Sequence, residues 1–360
     1  MSQLPVLKPK QFTSVGFDTF LTKQQLKELP STISKLNFEK ADWGFPHPFV
    51  PAINPKYLFT KDRLMALLPY IVNGKGQIPW LWGPFGSGKT SYPREICARL
   101  GKPVREIYVS ETTEVIDLGG QYMPTKDGGM EFIYGTLVKA MQEGSVLLIN
   151  EFDLMNSNEQ KALNQVFEER RFTIIQKDET IVAHPEFRII VTANSNGTGA
   201  FGNTLETEAA CSSVGDRFYF IFIDYLNKDE EMQILMAEAQ EMLSSMGYTG
   251  EDLEDSLSMA EHIGEVMITY ANDVRSSYKS TLGLGDGSGA GLPAPLSHRT
   301  LIEWYRKSQS LSMWYEVTQD SLHNTVTKAL EMVFISGQRP DTHANYMQAW
   351  KDRAGNLSVF

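Results

Sequence analysis

Eight consecutive residues, Gly83-Pro84-Phe85-Gly86-Ser87-Gly88-Lys89-Thr90, fit the pattern G-x-x-x-x-G-K-[ST]. The chemistry this spacing supports is polyphosphate binding. Glycines let successive backbone N–H groups turn inward around an anion. Lys89 supplies charge to the β- and γ-phosphates, and the Thr90 hydroxyl suits Mg2+. Ser91 opens a segment read as a helix, whose N-terminal dipole would face the same anion. ATP with Mg2+ is the expected ligand pair, with Gly83 to Ser91 as its binding residues.

Two further apolar runs end in polar residues. Val146-Leu147-Leu148-Ile149 is followed by Asn150-Glu151, and Ile189-Ile190-Val191-Thr192-Ala193 by Asn194. A buried strand places such terminal residues at the carboxyl edge of a sheet, beside the phosphates. The usual pair after the first run is Asp-Glu, in which Asp positions Mg2+ and Glu polarises the attacking water. Asn150 stands at the Asp position. Its amide keeps an acceptor oxygen but no charge, so with Thr90 it is expected to serve the metal more weakly than a carboxylate. Glu151 is the expected base, and Asn194 is placed to orient the water.

These residues need a sheet to bring them together, and the chain supplies one. From about residue 57 to 225, short apolar runs alternate with helical patterns. Strands are expected at residues 78–82, 104–109, 146–149, 187–193 and 218–223. Helices are expected at 91–100, 135–142 and 157–169. Buried strands alternating with helices predict a parallel α/β sheet flanked by helices. After Tyr225 the pattern turns helical: Met232, Leu235, Met236, Ala239 and Leu243 repeat at helical spacing and read as core. Three parts are expected: an N-terminal extension over 1–50, an α/β nucleotide-binding domain over 51–225, and a smaller α-helical lid over 226–360. A Gly-rich loop lies within the lid at 281–295. In the extension, residues 22–29 read as a short polar helix. The proline-dense run FPHPFVPAINP reads as an extended arm lying on another part of the chain.

The chain has 360 residues, a net charge of -11 and two cysteines, Cys97 and Cys211. Its length suits about two domains. The acidic balance argues against a protein that coats nucleic acid. Two distant thiols make no disulfide framework or metal site and read as small buried residues. No apolar run approaches the ~18 residues of a membrane span. The opening MSQLPVLKPKQF has no apolar stretch of the signal-peptide kind, so a cytoplasmic setting is expected.

In their order and spacing, the three segments resemble the AAA+ ATPases. Residues 170–175 and 180–182 would form a β-hairpin before the third segment, which resembles the clade with a pre-sensor-one hairpin. Asp117-Leu118-Gly119-Gly120, on towards Gly135, looks like that clade's insertion in its second helix. The chain is most similar to the MoxR branch and, within it, to CobS-type cobaltochelatase subunits. The resembling stretches are Val50-Pro51-Ala52-Ile53-Asn54-Pro55, His184-Pro185-Glu186-Phe187-Arg188, Thr192-Ala193-Asn194, Asp216-Arg217-Phe218 and Leu296-Ser297-His298-Arg299-Thr300. The likeness covers about residues 48 to 335.

The resemblance implies the rest. Arg217 matches the arginine finger that reaches the γ-phosphate of a neighbouring subunit; a plain salt bridge to Asp216 or Glu208 is the other reading. Arg299 matches the sensor-two arginine, which touches nucleotide in its own subunit; a solvated helix start is the other reading. Family members form rings, here expected to be hexameric, and commonly work with a von Willebrand A domain partner. The implied activity is ATP-driven remodelling, with cobaltochelatase work as its narrowest form. A competing reading keeps the nucleotide as a structural pin with little hydrolysis, and Asn150 is the residue that favours it.

Overall fold

The computed structural model describes residues 6–11, 37–42, 46–74, 76–197, 215–281, 292–312 and 319–355. Helix 22–29, Cys211, Glu208 and residues 282–291 of the Gly-rich loop fall outside this set. The chain divides into two units. One comprises Met1–Gly83 and Gly88–Ile223; the other comprises Pro84–Ser87 and Asp224–Phe360.

In chain order the first unit holds β1 (Val6–Gln11), β2 (Asn37–Asp42), α1 (Lys61–Asn73), β3 (Ile78–Trp82), α2 (Ser91–Leu100), β4 (Val104–Tyr108), α3 (Val115–Gly119), β5 (Gly120–Pro124), β6 (Met130–Tyr134), α4 (Thr136–Glu143), β7 (Val146–Asn150), α5 (Ser157–Ala162), α6 (Asn164–Glu169), β8 (Arg171–Ile174), β9 (Glu179–Val182), β10 (Arg188–Ala193) and β11 (Phe218–Phe222). Its central sheet has the order β11-β3-β10-β7-β4. Every neighbouring pair in it is parallel. The α/β expectation therefore holds.

Side chains alternate across a strand, and here both faces are buried. Trp80, Leu147, Ile149, Ile189 and Val191 pack on one face with Leu137, Val138 and Met141 of α4. Leu81, Val146, Leu148 and Ile190 pack on the other with Leu64, Leu67 and Ile71 of α1 and Ile96 and Cys97 of α2. Sheet strands buried on two sides read as continuous apolar runs, which is why they were visible in the sequence. Truncating a fully buried Leu148 to alanine would cost about 2–5 kcal/mol. Burial pushes the Cys97 thiol up to about 12, as suits an inert core residue.

The helix expected over 157–169 is two helices, α5 and α6, hinged at the buried Leu163. Three-residue hydrogen bonds appear there: Leu163 N–H donates to Gln160 O at 3.2 Å and Val166 N–H to Leu163 O at 2.9 Å, the same oxygen that accepts from Phe167 N–H at 3.0 Å. The insertion after α3 is a β-hairpin, in which Gly120 to Pro124 pair with Tyr134 to Met130. Thr125 and Gly129 close its turn through a 2.9 Å backbone bond. The second hairpin pairs β8 with β9. Tyr134 links the two hairpins, donating to the Glu179 carboxylate at 2.8 Å.

The proline-dense arm, residues 46–59, lies on α2 and β4. Val104 N–H donates to Phe49 O at 2.7 Å. The Arg105 guanidinium stacks 3.9 Å from the Phe49 ring. Arg99, buried and ion-paired with Glu95, also donates to Asn54 O at 3.2 Å. Strands β1 and β2, which the sequence reading did not anticipate, pair antiparallel from Val6–Asp42 to Gln11–Asn37.

The second unit is helical: α7 (Lys228–Ser245), α8 (Gly250–Thr281), α9 (His298–Ser312), α10 (Gln319–Val333) and α11 (His343–Ala354). Asn227 and Glu230 form a reciprocal capping box at the start of α7. Trp304 and Trp350 meet edge to face at 5.1 Å in the core. Beside them the Glu231 carboxylate is wholly buried. Arg275 pairs with it through two bonds of 2.8 and 2.9 Å, and His298 Nδ1 lies 3.0 Å away. These two partners hold Glu231 below the usual carboxylate range against the opposing effect of burial. In helix α11 the buried stripe is Tyr346, Trp350 and Ala354, four residues apart. No helix among the described residues is long and apolar enough to cross a membrane.

Candidate nucleotide-binding site

The site starts where β3 stops. Ile223 N–H holds Trp82 O at 2.7 Å. The next residue, Gly83, adopts φ 149° with its α-carbon pressed to the sheet. A Cβ there would meet Ile223 O at 2.2 Å, so only glycine lets the loop leave the strand at this point. The loop apex, Pro84–Ser87, groups with the helical unit. There Tyr225 donates to Phe85 O at 2.8 Å. Gly86, at φ 68°, lies where a Cβ would strike Ser297 Cβ at 2.5 Å.

Tyr92 N–H donates to Gly88 O at 2.9 Å, so α2 grows directly out of the loop. Pro93 sits in the first turn of this helix, where its missing N–H costs little. Lys89 folds back and donates to Gly83 O at 2.9 Å. Burial brings its ammonium down to about 8, partly opposed by Asp153 and Glu151. A partly buried ammonium and, two residues before it in the loop, the buried Ser87 hydroxyl without a hydrogen-bond partner fit a polyphosphate.

Asn150 and Glu151 lie at the carboxyl end of β7. Asn150 is buried. Its Oδ1 accepts from Thr90 Oγ1 at 2.9 Å and from Thr192 Oγ1 at 3.0 Å, while Nδ2 has no partner. Glu151 is exposed and sits at φ 60°, a left-handed conformation just past the end of the strand. Asp153 follows in a short 3-10 turn, fully buried. Its Oδ2 accepts from Asn194 N–H at 3.1 Å, Ser195 N–H at 2.9 Å and Ser195 Oγ at 2.9 Å. The backbone of Asn194 is thereby fixed at the end of β10, with its side chain half-buried.

Mg2+ suits hard oxygen donors and often takes only one or two from protein, with phosphate and water supplying the rest. A threonine hydroxyl beside a buried amide oxygen fits that pattern. Among the described residues no group of three His, Cys, Asp or Glu side chains gathers as an all-protein site.

Arg217 stands apart from this cluster, and Arg299 belongs to the other unit. Arg217 precedes β11 and so lies at the amino edge of the sheet, five strand residues (about 16 Å) from the carboxyl edge. Its side chain pairs with Glu168, not with Asp216, and Glu208 is outside the described residues. Arg299 is the second residue of α9, exposed, in the helical unit.

Residues 80–209 match the AAA domain of the dynein-related subfamily. Over these residues the chain is similar to AAA domains. Among curated proteins it is similar to the aerobic cobaltochelatase subunit CobS of Sinorhizobium sp, 25% identical over 296 residues covering 80% of each chain. It is also similar to midasin of Dictyostelium discoideum, 29% identical over 189 residues, which are 51% of this chain but only 3% of midasin. A solved structure of the RuvB Holliday junction branch migration motor of Thermotoga maritima covers 76% of this chain and 67% of its own, with 17% identity and a TM-score of 0.41.

Two residues of the site were given no role by the sequence reading. Asp153 reads as one more polar residue after Glu151, and only the fold shows it anchoring Asn194. Thr192 carried a faint signal: it is the hydroxyl in a strand otherwise made of apolar residues and Arg188.

Proposed function

We propose that this chain is an ATP-hydrolysing AAA+ remodelling ATPase of MoxR and CobS type. The observation that carries the reading is the link from the phosphate loop to the catalytic strand. Thr90, next to Lys89, donates to Asn150 at the end of β7, and the exposed Glu151 follows. Lys89 and the loop amides would bind the β- and γ-phosphates, and Thr90, steadied by Asn150, would ligate Mg2+. The cation neutralises phosphate charge when bound. Glu151 accepts a proton from water as its oxygen attacks the γ-phosphorus, and the bond to the β-phosphate oxygen breaks to give ADP and phosphate. Asn194 orients that water.

Arg217 would act on the nucleotide of a neighbouring subunit, since it stands at the sheet edge away from its own phosphate loop. That requires a ring, proposed as a hexamer. Arg299 is the proposed sensor-two residue. The partner proposed from the CobS likeness is a von Willebrand A domain protein in the cytoplasm, and cobalt chelation is the narrowest form of the work. The net charge of -11 disfavours a nucleic-acid track. A second reading, nucleotide as a structural pin, is favoured by the uncharged Asn150. Phosphate release from ATP decides between them: wild-type protein turns over and Glu151→Gln binds ATP without turnover, whereas the pin reading gives binding without turnover in both. The Glu151→Gln form with ATP is also the bait with which to capture the partner.

A further inference from the structure

An aspartate at the end of β7 would offer two equivalent oxygens. Asn150 offers an oxygen at one end and an NH2 at the other, so its orientation matters. With Oδ1 facing Thr90, the threonine gives its proton to the amide and keeps its lone pairs for a cation. With the amide turned over, NH2 would donate to Thr90, occupy a lone pair and leave the threonine proton to point elsewhere. Thr90 would then be a poor ligand for a hard cation.

Something must choose between the two orientations. In the structure Oδ1 faces Thr90, and the second donor on the same oxygen is Thr192, 3.0 Å away and buried; its proton has no other acceptor among the described residues, so turning the amide over would leave that proton unpaired. Asn150 Nδ2 has no partner, so no acceptor holds the amide from its other end. Thr192 belongs to β10, which is paired on one side with β7 and on the other with β3, and so it cannot drift.

We propose that Thr192 is a positioning residue: it locks the Asn150 amide oxygen towards Thr90 and so keeps Thr90 competent to hold Mg2+. It touches neither nucleotide nor cation. The role compensates for the amide at position 150 and would be unnecessary beside a carboxylate. It rests on the proposed nucleotide site, and the test separates the two.

The test is a Mg2+ titration of the binding of a fluorescent ADP analogue, with no turnover involved. Five proteins are compared: wild type, Thr192→Val, Thr192→Ser, Asn150→Asp, and Asn150→Asp with Thr192→Val. Thr192→Val is expected to raise the Mg2+ concentration for half-maximal binding about threefold to tenfold, the range of one buried hydrogen bond. Affinity without Mg2+ should stay unchanged, and Thr192→Ser, which keeps the hydroxyl, should behave as wild type. In the Asn150→Asp background the valine should shift the midpoint less than about twofold, because a carboxylate accepts from either end. An equal shift in both backgrounds makes Thr192 a packing residue and overturns the proposal, as does no shift beside Asn150. Absence of ADP binding in the wild type overturns the nucleotide site itself.

Discussion

Thr90 Oγ1 donates to Asn150 Oδ1 at 2.9 Å, joining the residue after the loop lysine to the end of the strand that carries Glu151. The amide therefore meets the proposed cation position through Thr90. Asn150→Asp adds a negative charge at this buried point while keeping the acceptor. It should lower the Mg2+ concentration for half-maximal ATPase and raise the rate. A titration that leaves both unchanged removes position 150 from the metal's surroundings.

Lys89 should make nucleotide binding pH-dependent. Burial brings its ammonium from 10.5 down to about 8, so at pH 8 about half of the unliganded sites hold it neutral. Phosphate favours the charged form, so binding at pH 8 should draw about half a proton on to Lys89. At pH 6.5 the lysine is already charged and uptake there should vanish. Calorimetry in buffers of different ionisation enthalpy measures this, with Lys89→Arg as the permanently charged control. Equal uptake at both pH values, or uptake retained in the arginine variant, contradicts the assignment.

The Arg217–Glu168 ion pair holds the proposed finger within its own chain. The pair is partly exposed, so separating it costs little. Arg217→Ala and Glu151→Gln proteins should each be nearly inactive, yet equal mixtures should regain hydrolysis where an intact base meets an intact finger. If mixtures shown to exchange subunits stay as inactive as either parent, Arg217 does not act across a boundary.

The sequence made the sheet and its polar strand ends readable because buried parallel strands leave apolar runs and the phosphate loop needs glycine at fixed places. Gly83 illustrates this: Ile223 O stands where its side chain would be. What escaped depended on contacts distant in sequence. Asp153 gains its meaning from Asn194 and Ser195, about forty residues later, and Thr192 from Asn150. The split of the 157–169 helix lies in the backbone bonds around Leu163, which helical periodicity does not encode. The insertion hairpin was foreseen only as an insertion; its strands are short and largely exposed, so they carry little alternation of burial. Helix α11 fell beyond the stretch that the family resemblance covered.

The central claim is that Lys89 and its loop hold the phosphates of ATP. A calorimetric titration of ATP into wild type and Lys89→Ala, with thermal unfolding of both, tests it most directly. Lys89 is partly buried and lies outside the apolar core, so the alanine variant should unfold at a similar temperature and bind ATP at least about tenfold more weakly. Equal affinity in two equally folded proteins would contradict the account.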